Sequence, residues 1–516
     1  MDDGGLYLHD VVRPGGKRCA RTIVSRTLVG DPGSTYRYLG LRLFSHPWVD
    51  VDDDGDAIPT KRTTGGGGGG STLRDLGYPP DTVSSLLSMG IANSYLVVRT
   101  NNALDEHVAH RVVPRGLVGS AEFNLTLVNK MEPDASGARR EKDYGMGKVS
   151  VGWHRDSGLK DYSSIAVYQT LKGTTSNPTT KKSKTEITTK YGDGISSSSS
   201  WGVALRAMDG GSGGPLLNIP PLLVPLPSGS VYYMLDDFNH NHEHAVISPS
   251  IKGDEVTTIR YSSTHRVARE GRGTWQYIRE KARSIMSKSD IPSSSSRKER
   301  ETFISYVRGQ QNLMTEIEFE WLRQWFVQGQ RHASLHPYWH RPIRFLCDVY
   351  CNLERAMSDI LDLLSRSAGS TERPPGVVTE DLFDVLIESF VERSALRSSW
   401  SERYRDPIYA EIPKEERPFP CPCLDREGRC DGERGQLSED LNYLVSQLRQ
   451  WRSEFVLFVK EKSCNQQGGD HHGKIMLGAK KLIGHGKLSK SVGSLTKKEL
   501  KNRASNWERL KANLRK

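Results

Sequence analysis

A histidine and an aspartate stand two positions apart at His154 and Asp156. This spacing places both side chains on one face of a strand. Non-haem iron oxygenases use two imidazoles and one carboxylate on one face of the metal, which leaves the other positions open for a cosubstrate and oxygen. The chain contains no second His-x-Asp pair. The pair is therefore our candidate for two ligands of a metal site.

The third ligand must be a histidine further along the chain. The segment HNHEH offers His240, His242 and His244, and spacing does not choose among them because all three would share a strand face. Arg260 and Ser262 follow, again two positions apart. A guanidinium pairs with a carboxylate through two hydrogen bonds and a hydroxyl can add a third, which suits the far carboxylate of 2-oxoglutarate. This order of residues, all on predicted strands, favours an oxygenase over a chance arrangement.

The elements that must position these residues are strands. Before Ser293 the pattern is β-like, and in KVSVGWHRD apolar residues alternate with small or polar ones. The segment LLVPLPSGSVYYMLDD predicts a strand, a turn and a second strand, and TTIRYSSTHRVA predicts another.

After Ser293 the pattern becomes helical, and we predict a helical bundle over 300–460. Apolar residues recur at intervals of three and four positions. Three such stripes are Leu353, Met357, Ile360, Leu361 and Leu364; Leu382, Val385, Leu386, Ser389 and Phe390; and Leu441, Leu444, Val445, Leu448 and Phe455.

The chain divides into three predicted regions. We expect an oxygenase domain over 1–290, the helical domain over 300–460 and a basic, partly disordered tail over 461–516. Low-complexity inserts near 60–72 and 173–200 interrupt the first domain. The tail has two interpretations, a nuclear-import or nucleic-acid patch and a solvated helix face.

Composition and charge narrow the class of protein. The formal net charge of +10 suits a polyanionic partner such as nucleic acid. The start MDDGGLYLHDVV lacks the apolar core of a signal peptide, and no apolar run is long enough to span a membrane. We therefore expect no membrane association and a location in the nucleus, with the cytoplasm as a second place. Cys421, Cys423 and Cys430 allow a zinc site or an ordinary loop, and a structural site would need a fourth ligand.

Several long segments resemble the FTO demethylases of the AlkB-type oxygenase superfamily. They include SRTLVGDPGSTYRYLGLRLFSHPW, YGMGKVSVGWHRD, YYMLDDFNHNHEHAV and FEWLRQWFVQGQR, in the family's order. The resemblance implies an α+β fold, in which a double-stranded β-helix (jelly roll) is followed by an all-α helical bundle. It also implies Fe(II), O2 and 2-oxoglutarate as cosubstrate, with oxidative demethylation of N-methylated nucleobases in single-stranded RNA, or alternatively single-stranded DNA.

The resemblance also assigns roles to individual positions. The metal ligands would be His154, Asp156 and His244. The side chains expected to hold 2-oxoglutarate are Asn129, Tyr232, Arg260, Ser262 and Arg266. Those expected on the base side are Arg26, Tyr36 and Tyr38. Taken without the resemblance, Tyr38 could be plain core and Arg26 could hold a loop together.

The chain departs from the family where a purine would be recognised. Asp156 is followed by Ser157 in place of the family's acidic residue, and Arg155 stands between the ligands. Both changes make the pocket less acidic and leave the preferred base open. Arg139 and Arg140, upstream of the His-x-Asp strand, predict a cationic loop that contacts single-stranded nucleic acid. Two alternatives stay open: an oxygenase acting on proteins or small molecules, and an inactive nucleic-acid-binding scaffold.

Overall fold

The structure, a computed structural model, describes residues 5–16, 18–52, 54–57, 70–111, 119–133, 139–174, 200–210, 213–249, 257–269, 271–287, 296–368, 375–424 and 441–467. Met1–Arg452 form one compact unit and Ser453–Lys516 a second one. The predicted inserts near 60–72 and 173–200 lie largely outside the described residues. So do most of the tail over 461–516 and most of the predicted boundary between 290 and 300.

Two β-sheets form the first part of the chain. One has the strand order β15-β12-β17-β9-β3-β6 and the other β10-β11-β16-β13-β14, while β1–β2, β4–β5 and β7–β8 are separate pairs. The strands are β1 Val11–Val12, β2 Ala20–Arg21, β3 Ser25–Gly30, β4 Thr35–Tyr38, β5 Leu41–Phe44, β6 His46–Pro47, β7 Val51–Asp52, β8 Gly70–Ser71, β9 Leu125–Met131, β10 Arg139–Arg140, β11 Lys148–His154, β12 Ile165–Thr174, β13 Gly202–Ala207, β14 Leu222–Pro225, β15 Val231–Met234, β16 His242–Ser248 and β17 Thr257–Arg266. Neighbours pair antiparallel except β3 with β6.

The predicted strands around the candidate site are confirmed, with one difference. KVSVGWH forms β11, and the segment from Thr257 to Arg266 forms β17. The strand, turn and strand expected between Leu222 and Met234 also form, as β14 and β15. These two strands belong to different sheets, however, so the turn carries the chain from one sheet to the other.

A long helix precedes β9, although the sequence before Ser293 suggested a β-like pattern alone. This helix, α1, spans Pro80–Arg111, and the short α2 (Phe238–Asn241) and longer α3 (Trp275–Met286) also lie in this region. Two buried positions of α1 are the polar Asn93 and Thr100, which interrupt its apolar stripe. The Asn93 side chain donates to the backbone oxygen of Phe123 at 2.8 Å and contacts His265 Nδ1 at 2.8 Å. Because polar residues occupy these buried positions, the apolar residues of α1 do not recur at regular helical spacing, and the sequence did not predict the helix.

The second part of the chain is helical, which confirms the predicted α+β class. Its helices are α4 Arg297–Glu316, α5 Arg323–Phe326, α6 Gly329–Leu335, α7 His340–Ala368, α8 Glu380–Tyr404, α9 Ile408–Glu411 and α10 Leu441–Gln467, with a π-helical segment at Ile317–Leu322. Leu353, Met357, Ile360, Leu361 and Leu364 are all buried on α7, as the stripe predicts. None of the helices in the described residues is both apolar and long enough to span a membrane.

A buried ion cluster joins the π-helical segment to α7 and α8. Glu318 Oε1 accepts from Arg323 Nη2 and from Arg397 Nε, both at 2.8 Å. Its Oε2 accepts from the Tyr350 hydroxyl at 2.9 Å. Burial would raise the pKa of Glu318, but Arg397 and Arg323 together lower it to about 2. The carboxylate is thus kept charged inside the helical core.

Aromatic packing connects the helices to the hairpin β4–β5. The Phe44 ring lies 5.0 Å from the Trp325 ring and 4.9 Å from the Trp339 ring, centroid to centroid. Trp339 Nε1 donates to the backbone oxygen of Ser45 at 2.8 Å. Edge-to-face pairs of this kind contribute about 0.5–1.5 kcal/mol each beyond the area that they bury. The helices therefore hold β5 in place, and β5 in turn holds β4.

Candidate active site

Two histidines face each other across neighbouring strands. His154 ends β11 and is the register partner of His244 on β16, and the two rings lie 4.2 Å apart. The β11–β16 register shifts twice before this pair, a kind of irregularity that commonly re-aims side chains next to active sites. His154 Nδ1 contacts the backbone oxygen of Gly152 at 2.8 Å. This contact leaves Nε2 as the nitrogen available to a metal ion.

Asp156 lies just beyond the strand and is held on both sides. Its backbone N–H donates to Asn239 Oδ1 at 3.0 Å, and Asn239 Nδ2 donates back to its carbonyl at 2.9 Å. Arg266 Nη2 donates to Asp156 Oδ1 at 2.8 Å. Burial would raise the pKa of Asp156, but Arg266, His244 and His154 together lower it. The side chain is therefore a carboxylate of fixed orientation.

The three candidate ligands converge. The ligand atoms of His154, Asp156 and His244 all lie within 4.8 Å of one another. Asp156 Oδ2 is buried and accepts no hydrogen bond among the described residues, a costly arrangement that a bound cation would relieve. Burial, followed by the nearby His154, lowers the pKa of His244 to about 3, so this imidazole is neutral, as a metal ligand must be. Two imidazoles and one carboxylate fit Fe(II).

The other two histidines of the HNHEH segment have different neighbours. The His242 ring stacks on Phe238 at 4.5 Å, and the His240 ring lies 4.7 Å from Tyr162. Among the described residues, only His244 of the three joins the metal-binding group. The structure thus brings together the same three residues that the resemblance implies.

One row of residues runs across four strands of the six-stranded sheet. Arg26 on β3 is the register partner of Asn129 on β9, and Asn129 is the partner of Ser262 on β17. Ser262 in turn pairs with Gln169 on β12. Register partners in an antiparallel pair point to the same face. The predicted Asn129 and Ser262 are therefore neighbours, and Gln169, which was not predicted from the sequence, lies beside them.

Arg260 is buried in the same face and is oriented by Gln169. Its guanidinium Nε donates to Gln169 Oε1 at 2.6 Å, and Nη1 donates to Ser262 Oγ at 3.3 Å. Burial lowers the pKa of Arg260, and hydrogen bonding to Tyr232 partly offsets this. Gln169 is itself fixed, because its Nε2 donates to the backbone oxygen of Pro227 at 2.8 Å. A buried guanidinium with a hydroxyl and a phenol beside it can bind a carboxylate.

Tyr36 and Arg266 lie next to the metal ligand Asp156. The Arg266 guanidinium lies 5.2 Å from the centre of the Tyr36 ring. Arg266 Nε and Nη1 are buried and have no hydrogen-bond partner among the described residues. Burial raises the pKa of the Tyr36 phenol, and Arg266 and hydrogen bonding to Ser157 partly lower it. Tyr36 of the hairpin β4–β5 thus lies against Arg266, the residue that holds Asp156.

Arg26 on β3 lies against Tyr38, the last residue of β4. The Arg26 guanidinium lies 3.9 Å from the centre of the Tyr38 ring, and its Nε is 3.1 Å from Asp10 Oδ2. Both charged side chains are buried, and burial raises the pKa of Asp10 to about 6 although Arg26 opposes this. The structure therefore places Arg26 in an ion pair that holds the N-terminal segment, with a partner, Asp10, that was not predicted from the sequence.

The chain matches known proteins over most of its length. Residues 1–269 match the model of the FTO catalytic domain, and residues 273–450 match that of the FTO C-terminal domain. "Alpha-ketoglutarate-dependent dioxygenase FTO" from Xenopus laevis is 29% identical over 459 residues, covering 87% of this chain and 84% of the relative. A full-length protein from Neurospora crassa, solved in complex with alpha-KG, is 14% identical, with 48% of this chain and 56% of that chain covered and a TM-score of 0.20. A TM-score of 0.20 is too low to establish a shared fold.

The family matches confirm the predicted fold class and the predicted cofactors, which are Fe(II), 2-oxoglutarate and O2. The convergence of His154, Asp156 and His244 agrees with this cofactor set. The chain belongs to the FTO family and is an alpha-ketoglutarate-dependent dioxygenase.

Proposed function

We propose that this dioxygenase removes methyl groups from N-methylated nucleobases, with N6-methyladenine in single-stranded RNA as the first expected substrate and single-stranded DNA as the alternative. One observation carries the proposal. The hairpin β4–β5 brings Tyr36 against Arg266, which holds the candidate ligand Asp156. Tyr38, two positions along the same strand, is only partly buried, so its ring offers a surface for a base beside Tyr36, and stacking of a base contributes about 1–3 kcal/mol.

The protein's part in this reaction is binding and positioning. His154, Asp156 and His244 would bind the metal ion. Fe(II) with 2-oxoglutarate and O2 supplies the oxidation: one oxygen atom enters succinate as CO2 is lost, and the other enters the methyl group, whose hydroxymethyl product releases formaldehyde. Arg266 Nε and Nη1, which have no partner among the described residues, are the donors available to the keto-acid end.

The far carboxylate of 2-oxoglutarate would bind at Arg260. Arg260 is 1% exposed, so its guanidinium can pair only with a carboxylate that reaches the buried face of the six-stranded sheet. Such a pair is charge-assisted and strong, because little water is present to screen it. Ser262 and Tyr232 would add hydroxyl contacts, and Asn129 lies across from Ser262 on the next strand. Gln169 is a positioning residue, because it touches Arg260 and sets the direction of its guanidinium.

A cationic edge next to β11 supports a nucleic-acid substrate. Arg139 and Arg140 form β10, pair with Val149 and Lys148 at the edge of the five-stranded sheet, and are exposed. Exposed guanidinium groups contact phosphates and make binding depend on salt. A base must also leave a helical stack to reach a buried metal, which favours single-stranded substrates.

We expect the protein to act in the nucleus, with the cytoplasm as a second location.

Ser157 and Arg155 bear on which base is preferred. Both are exposed, and Arg155 Nη1 donates to the backbone oxygen of His240 at 3.0 Å. No carboxylate follows Asp156 to accept a hydrogen bond from an adenine amino group. Bases with a carbonyl in place of the amino group, such as 3-methyluracil and 3-methylthymine, should therefore compete better for this pocket than for a pocket with an acidic residue there.

A screen of methylated oligonucleotides tests the proposal. Purified protein with Fe(II), ascorbate and 2-oxoglutarate is given single-stranded and duplex RNA and DNA, each carrying one methylated base, and products are identified by mass spectrometry. We expect demethylation of single-stranded RNA with formaldehyde release. Succinate formation that no oligonucleotide stimulates, but that a peptide or small molecule does, would contradict a nucleobase substrate. The absence of any turnover would contradict an active enzyme.

A further inference from the structure

Cysteines from two distant parts of the helical region meet in its core. Cys347 and Cys351 are one turn apart on α7, and Cys421 and Cys423 lie in the segment that follows α9. The Sγ atoms of Cys347, Cys421 and Cys423 all lie within 4.8 Å of one another. The Cys351 thiol hydrogen-bonds to Cys423. Positions four apart share one face of a helix, so α7 presents both of its thiols to the same partner segment.

The thiols of Cys347, Cys421 and Cys423 have the spacing of ligands in a tetrahedral thiolate site. Zn–S bonds of about 2.3 Å in a tetrahedron place the sulfur atoms about 3.8 Å apart. Cys421 Sγ and Cys423 Sγ are 3.4 Å apart, and the metal-binding group of three stays within 4.8 Å. A disulfide needs sulfur atoms about 2.05 Å apart. The two neighbouring thiols are therefore spaced as metal ligands are, and not as a disulfide is.

The surroundings fit a structural site. Cys421 and Leu424 belong to the main apolar core, and Cys347, Cys423 and Phe419 pack against that core. The ring of Phe419 lies 4.9 Å from the ring of Phe326 at the end of α5. A closed site with protein ligands alone and no water position is typical of structural zinc. The site would fasten this segment to α7.

We propose that Cys347, Cys351, Cys421 and Cys423 bind one structural Zn2+ ion that is separate from the oxygenase metal site. The sequence alone suggested either a zinc site with Cys421, Cys423 and Cys430 or an ordinary loop. Cys430 lies outside the described residues, and the two cysteines of α7 take the place of the missing ligands because folding brings α7 to the Cys-Pro-Cys segment. The proposal does not depend on the substrate of the oxygenase.

Metal analysis of the full chain tests the proposal. The protein is produced with added zinc, dialysed against a weak chelator and measured by mass spectrometry for metal content. A His154→Ala variant removes the other candidate metal site, and in it we expect about one zinc ion per chain. Cys423→Ser should lose that zinc and melt at a lower temperature. Cys19→Ser, a matched change of a buried cysteine outside the cluster, should keep it.

Measurements on the unchanged chain keep the proposal testable if Cys423→Ser does not fold. Cobalt(II) added after zinc removal should give the near-ultraviolet thiolate-to-cobalt absorption of a four-thiolate site. Thiol titration of the native protein should find four more reactive thiols once a strong chelator is present. Zinc that stays bound in a folded Cys347→Ser/Cys423→Ser variant would overturn the proposal. A missing thiolate-to-cobalt band, or two thiols absent under denaturing conditions because they form a disulfide, would overturn it as well.

Discussion

Replacing Gln169 by leucine should weaken 2-oxoglutarate binding without touching the metal ligands. Gln169 is fully buried, and its Oε1 accepts from Arg260 Nε at 2.6 Å. Leucine has a similar volume but no acceptor. The guanidinium would lose its charge-assisted bond and the partner that fixes its direction, so it would no longer be held ready for the far carboxylate of the cosubstrate.

The size of the effect follows from this bond. Hydrogen bonds to charged groups contribute about 1.5–3 kcal/mol, and each 1.4 kcal/mol is a factor of ten in an equilibrium constant. We therefore expect the KM for 2-oxoglutarate to rise by about 10- to 100-fold in Gln169→Leu. The kcat at saturating cosubstrate should change much less, because the residue lies beside Arg260 and is not one of the three metal ligands.

The assay is succinate formation as a function of 2-oxoglutarate concentration, with direct titration of the cosubstrate onto manganese-loaded protein. Tyr168→Phe is the matched control, since Tyr168 is the neighbouring position on β12, points to the opposite face and is 39% exposed. Its KM should stay at the wild-type value. If Gln169→Leu binds 2-oxoglutarate within twofold of wild type, Gln169 does not position Arg260.

Four further predictions concern stability, the metal site and nucleic-acid binding. Glu318→Gln breaks the ion cluster around a fully buried carboxylate and should lower the free energy of unfolding by about 3–5 kcal/mol, measured by urea denaturation. Burial lowers the pKa of His265 to about 3, so its contribution to stability is complete above its unfolded pKa and is lost as the pH falls. The fall in the free energy of unfolding between pH 7 and pH 5, measured by urea denaturation, should therefore be about 2 kcal/mol smaller in His265→Gln than in wild type. Asn239→Ala removes both hydrogen bonds to the backbone of the aspartate ligand and should weaken Fe(II) binding by about 10- to 100-fold in a metal titration, whereas unchanged affinity would reject the positioning role. Charge reversal of Arg139 and Arg140 should weaken binding to single-stranded RNA and reduce the slope of log K against log salt by about 1.4 or more, and an unchanged slope would show that they do not contact phosphates.

The candidate site residues could be found in the sequence because a spacing of two positions is local information. Arg260 and Ser262 are two apart on β17, where alternation places them on one face. The strand expected to carry both His154 and Asp156 ends at His154, so Asp156 lies beyond it and is oriented by its contact with Arg266. The choice among His240, His242 and His244 was different, because alternation gives all three the same face. In the fold, α2 ends at Asn241 and β16 begins at His242, which takes His240 off the strand.

Other contacts could not be predicted because they depend on which strands become neighbours. Gln169 meets Arg260 only through the pairing of β12 with β17, and Asp10 meets Arg26 because the N-terminal segment lies along β3. The cysteines of α7 and of the Cys-Pro-Cys segment are likewise distant in the chain. The helix α1 escaped notice for another reason, since buried polar residues such as Asn93 dilute its apolar stripe.

An anaerobic titration tests most directly whether His154, Asp156 and His244 form the site that binds Fe(II) and 2-oxoglutarate together. Fe(II) chelated by a 2-oxo acid absorbs visible light, so the complex can be followed without turnover. The band should develop in wild type and in His242→Ala, whose ring stacks on Phe238, and should fail to develop in His244→Ala. A band that persists in His244→Ala, or that disappears in His242→Ala while the protein stays folded, would contradict this assignment of the metal ligands.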